Sequence, residues 1–118
     1  MIGVCASGAP AMAKSYAARR PIASEGDGTI ATAIAVTDPL PESVARVVEV
    51  VDQILLVDDD DLRRAMRLIA DTLGLLVEPA GAAGLAALMR HPQAIPGQRV
   101  ATILTGSGAS HPTWNITV

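Results

Sequence analysis

Three short apolar runs, MIGVC, QILLVD and VATIL, alternate with longer stretches of helical period, and this alternation constrains the chain most. Apolar strands separated by helices predict an α/β fold, a mostly parallel sheet with helices on both faces. The pattern predicts strands near 2–5, 54–57 and 100–104, with helices near 8–19, 42–51, 60–73 and 79–90. Ser7 is the expected cap of the first helix and Pro21 its stop. Val44, Val47, Val48 and Val51 form one stripe at i, i+3, i+4, i+7. Leu62, Ala65, Met66, Ile69, Ala70 and Leu73 form another, behind four aspartates, Asp58 to Asp61, and ahead of Gly74. Carboxylates at a helix start are stabilised by its dipole, so the run reads as a helix opening rather than a metal site. TIATAIAV, 29–36, is apolar without a decisive period. In EPAGAAGLAALM nearly every side chain is small. Gly81 and Gly84 would weaken an isolated helix, and they make sense if another backbone packs close against it.

Composition narrows the function. The chain has 118 residues, enough for one domain. Half of it is hydrophobic and only 2% aromatic, so the core is aliphatic. Net charge is −3 with no extended basic cluster, which argues against nucleic-acid binding. No apolar run reaches the length of a membrane span, and the first residues lack the basic region and long apolar stretch expected of a signal peptide. The single cysteine, Cys5, excludes an internal disulfide, and the cytoplasm is the expected compartment.

Few residues can carry chemistry. VATIL breaks into Thr-Gly-Ser-Gly, residues 105–108, at what would be the carboxyl end of a strand, where ligands sit in open α/β sheets. No lysine follows, so the loop is not a phosphate cradle. Thr105 is either a turn residue bonding its own backbone or a hydroxyl facing a ligand. Glu78 interrupts an apolar run before Pro79 and reads as a helix cap or a site carboxylate. His91 and His111 each precede a proline in a loop, without the spacing of a metal pair. Lys14, the only lysine, projects from an alanine-rich helix.

The segments GVCASGAPAMAKSYAARRPI, DGTIATAIAV, VDQILLVDDDDLRRAMRLI, GLLVEPAGAAGLAAL and RVATILTGSG, in that order, resemble the C-terminal part of pyridoxal-phosphate enzymes of the tryptophan-synthase-beta type. The likeness is strongest to threonine/serine dehydratases and threonine synthases. It implies that residues 1–108 are a partial cofactor domain of that fold, followed by an irregular tail at 109–118. It also implies that the residue facing the cofactor's pyridine nitrogen is Thr105, that Gly106 lets the backbone pass the ring, and that Glu78 lies near the ring or substrate. A neutral hydroxyl can bond that nitrogen without protonating it fully, a bias that suits β-elimination or β-replacement on an amino-acid substrate.

The departures matter equally. The family's cofactor-bearing lysine motif and glycine-rich phosphate loop are absent, and Lys14 matches neither, so no catalytic residue is assigned. The chain is expected to be a fragment, with Met1 a start codon inside a longer gene. It should be inactive alone, and homo-oligomeric or associated with a missing N-terminal half. Where some relatives hold a divalent cation, this chain has Cys5, Ala9 and Ala11, none suited to a hard ion, so no metal is expected. A non-catalytic α/β interaction module is the alternative from another class. A small nucleotide-binding domain lacks the phosphate loop it would need.

Overall fold

The computed structural model describes residues 1–26 and 28–107. Its elements in chain order are β1 (Ile2–Ala6), α1 (Ala11–Ala18), α2 (Pro41–Val50), β2 (Gln53–Val57), α3 (Asp59–Leu73) and α4 (Ala83–Arg90), with 3-10 turns at Thr32–Ile34, Pro79–Ala82 and Pro92–Ala94. β1 and β2 pair in parallel, with Val4 opposite Leu55 and Ala6 opposite Val57. The period-two side-chain pattern sends Val4, Leu55 and Val57 to one face. There they meet Leu62, Ala65, Met66 and Ile69 of α3 and Ala83, Ala86 and Ala87 of α4. On the other face α1 lies against β2 and α2, tied by the Tyr16 hydroxyl, which donates to the Val51 carbonyl at 2.9 Å. The result is the expected parallel α/β arrangement. Among the described residues no helix is long and apolar enough to cross a membrane.

α3 shows how strongly local chemistry specifies an element. The Asp58 carboxylate accepts from the Asp61 N–H at 2.8 Å, and the Asp61 carboxylate accepts from the Asp58 N–H at 3.1 Å. This reciprocal capping box satisfies two donors that the helix start would orphan. At the other end Gly74 takes φ +66°, the left-handed turn that closes helices.

Three expectations are corrected. Residues 99–106 form no strand, and the third strand predicted at 100–104 is absent; the nearest feature is an isolated antiparallel bridge between Val77 and Ser107. A ladder needs a free edge, and the segment beside β2 is 91–94: Gln53 Nε2 donates to the Ala94 carbonyl at 2.6 Å, and His91 Nε2 lies 2.7 Å from the Leu56 carbonyl. The 102–106 stretch instead lies on the glycine side of α4 and of the turn before it. A Cβ on Gly81 would overlap the Thr105 carbonyl, and one on Gly84 the Thr102 hydroxyl. The close neighbour that these glycines require is thus this chain's own 102–105 segment. Second, α1 starts at Ala11 with Pro10 as its N-cap residue and no side-chain cap bond, so Ser7 does not cap it. Its end is set by Arg19 in the left-handed region, φ 56°, ahead of Pro21. Third, the helix predicted from 79 begins as a 3-10 turn and becomes α-helical at Ala83. TIATAIAV resolves as the 3-10 turn at Thr32–Ile34. The expected tail at 109–118, with His111, lies outside the described residues.

Candidate functional site

Glu78, Thr105 and Gly106 come together although 27 positions separate the first two in sequence. The Glu78 backbone N–H donates to the Gly106 carbonyl at 3.1 Å, and the neighbouring Val77–Ser107 bridge secures the same crossing. Gly106 adopts φ +71°, a conformation that strains any side-chain-bearing residue, and a Cβ there would sit 2.7 Å from Glu78 Cδ. The backbone therefore passes bare over the Glu78 side chain. Glu78 does occupy the N-cap position of the turn at Pro79, but its side chain makes no cap bond. Thr105 follows half-buried Leu104 and is itself exposed. Its carbonyl is the one pressed against Gly81, which fixes the backbone from which the side chain projects.

Sequence reasoning did not find the contact that holds the other side of this region. The Asp59 carboxylate accepts from the Thr29 hydroxyl at 2.7 Å and from the Ile30 N–H at 3.1 Å. The Thr29 hydroxyl in turn accepts from the Ala31 N–H at 3.1 Å. This ties the 29–31 loop to the start of α3, and the following Thr32–Ile34 turn packs on the Pro79–Ala82 turn. Thr29 and Asp59 are thirty residues apart, and no local signal pairs them. The four aspartates also divide their work: Asp58 and Asp61 cap, Asp59 holds the loop, and Asp60 pairs with Arg63 at 3.1 Å.

The remaining candidates lie elsewhere. Cys5 is buried in β1, and burial pushes its thiol up despite a hydrogen bond from the Ala13 backbone. Ala9 and Ala11 are buried with it. His91 caps the end of α4 against β2. Lys14 is exposed on α1, the helix that packs against α2 and β2. Among the described residues no group of three or more His, Cys, Asp or Glu could hold a metal ion.

With this geometry in place, comparison with known proteins defines the class. The family model described as "Pyridoxal-phosphate dependent enzyme" matches residues 1–106, and the chain belongs to that family. It is 35% identical to a threonine synthase of Bacillus sp. (strain ULM1), covering 93% of this chain and 31% of that protein. It is also 35% identical to a phenylserine dehydratase of Ralstonia pickettii, covering 97% of this chain and 35% of that protein. The crystal structure of a T.th. threonine deaminase superposes with a TM-score of 0.85 at 30% identity, covering 93% of this chain and 40% of that one. The chain thus spans about a third of the length of the curated relatives it matches.

Proposed function

We propose that residues 1–108 are the C-terminal portion of a pyridoxal-phosphate domain, and that the parent enzyme eliminates water from threonine or serine to give a 2-oxo acid and ammonia. The observation that carries this reading is the meeting of Thr105, Gly106 and Glu78 within a chain of this family. The residues present suit the flat heteroaromatic end of the cofactor. Gly106 offers bare backbone, and Thr105 an exposed neutral hydroxyl, beside a carboxylate-bearing side chain. They do not suit its covalent end, because Lys14 lies on α1 and matches no cofactor lysine. When bound, pyridoxal phosphate withdraws electrons from the α carbon of an attached amino acid. Thr105 Oγ1 would hydrogen-bond the ring nitrogen while keeping its own proton, leaving that nitrogen without a full charge. The Glu78 N–H bond to Gly106 would hold the loop at the distance this bond requires. Threonine-synthase-like β,γ-replacement is the second reading, favoured by the likeness to the Bacillus protein. The single cysteine suits a reducing, cytoplasmic setting. Exposed Leu40, Leu73 and Ile103 suit association with a second copy or with the lysine-bearing remainder.

The test has two stages. The 118-residue chain, given pyridoxal phosphate and threonine, is expected to release no 2-oxo acid, and borohydride reduction is expected to leave Lys14 unlabelled. The same gene expressed with any upstream in-frame lysine motif should release 2-oxo acid and ammonia. Threonine as product would select the second reading, and no upstream motif with no turnover would select a non-catalytic module. In the lysine-bearing protein, Thr105→Asp should raise the ring nitrogen's pKa and lower the ratio of 2-oxo acid to racemised substrate. An unchanged ratio with cofactor bound would place Thr105 away from the ring.

A further inference from the structure

A cleft of about 500 Å³ opens where the start of α3 meets the end of α4, lined by Asp58, Asp60, Asp61, Arg63, Arg64, Arg67 and Arg90. None of Glu78, Thr105 or Gly106 lines it. In a chain of net charge −3, four guanidiniums here face three carboxylates, and the carboxylates are already engaged. Asp58 caps the helix. Asp60 pairs with Arg63 at 3.1 Å. Asp61 is 3% exposed and serves two arginines: it pairs with Arg64 and lies 3.9 Å from Arg90 Nε. Burial alone would push its carboxyl up, but the Asp58 N–H, Arg64 and Arg90 hold it below its ordinary value, so the anchor is charged at neutral pH. Arg67 follows Arg64 by three residues, on the same face of α3, and makes no ion pair among the described residues.

Asp61 therefore holds two guanidiniums from two helices, Arg64 and Arg90, and the unpaired Arg67 lines the same cleft. Each guanidinium carries five N–H donors, and a carboxylate engages at most two of them, so most donors remain for a ligand. A monovalent carboxylate ligand would be satisfied by one such fork, whereas a tetrahedral dianion uses several forks at once. Asp58 and Asp60 at the rim, on a chain of negative net charge, disfavour an extended polyanion and leave room for a compact one. We propose that this cleft binds a phosphate dianion, free or as a small monoester, with Arg64, Arg67 and Arg90 as its ligands and Asp61 as the fixed anchor of Arg64 and Arg90.

The test is a titration of the 118-residue chain at constant ionic strength with inorganic phosphate, glycerol phosphate or acetate, read by arginine side-chain NMR. Saturable shifts at Arg64, Arg67 and Arg90 with phosphate, and none with acetate, are expected. Tighter binding of glycerol phosphate would identify a monoester ligand, and equal binding free phosphate. Arg67→Gln, at an exposed position without an ion pair among the described residues, should weaken phosphate about tenfold while leaving the circular dichroism spectrum unchanged. Arg46→Gln, which breaks a pair with Glu49 on α2, should leave phosphate binding unchanged. Shifts that never saturate, equal loss in both variants, or tighter binding of a single-stranded oligonucleotide than of either phosphate would overturn the assignment.

Discussion

α3 and the 99–106 segment are both strongly patterned in sequence, yet only one adopts the structure its pattern suggests. α3 carries its own start, stop and buried stripe: the Asp58–Asp61 capping box, the left-handed Gly74, and Leu62, Ala65, Met66 and Ile69 against the sheet. Every one of these acts within a few residues. The 99–106 segment is more β-prone, yet it pairs with no strand and leaves Ile103 82% exposed. A helix closes its hydrogen bonds within itself, whereas a strand needs a partner edge. Local signals therefore specify α3 completely and the VATIL run only halfway.

The sharpest way to break the contrast is where the backbone of 99–106 is pressed tightest, at Gly81. Gly81→Val drives a branched side chain into the Thr105 carbonyl, a backbone atom that cannot step aside. It should cost about 3 kcal/mol or more, seen as loss of the cooperative urea transition. Next is Asp61→Asn, which weakens a buried cap and its two arginine pairs. A loss of about 2 kcal/mol is expected at neutral pH. Asp61 has a lower pKa in the folded chain than in the unfolded one. Its contribution is therefore present above the ordinary carboxylate pKa of about 4 and is lost as pH falls through the lowered value. The variant should show a flatter loss of stability on acidification than the parent. Gly74→Ala meets open space, so only the left-handed backbone opposes it. About 1 kcal/mol is expected from denaturant midpoints, far less than at Gly81. The smallest effect is Ile103→Ser, which should shift stability by less than about 0.5 kcal/mol while reducing self-association measured by sedimentation. A large destabilisation there would mean that the VATIL run is buried in the isolated chain.

The candidate site divides along the same line. Residue types at 78, 105 and 106 single themselves out because a carboxylate and a Thr-Gly pair interrupt apolar runs. Their meeting is not readable, since it depends on a crossing secured by the Val77–Ser107 bridge and the Glu78–Gly106 bond. Thr29 and Asp59 escape a sequence reading for the same reason: a threonine in a loop and one aspartate of four look ordinary until the fold sets them 2.7 Å apart.

By itself the sequence determined the parallel α/β class, the two strands, the amphipathic helices and the presence of a close neighbour at Gly81 and Gly84, because periodicity, capping and side-chain size act locally. Only the tertiary structure decided that this neighbour is the chain's own 102–105 segment, with the Thr105 backbone at Gly81 and the Thr102 side chain at Gly84, that VATIL stays out of the sheet, and that Asp59 holds the 29–31 loop. Each of those outcomes turns on a contact between residues distant in sequence, and the energy of such a contact exists only once the intervening elements have packed.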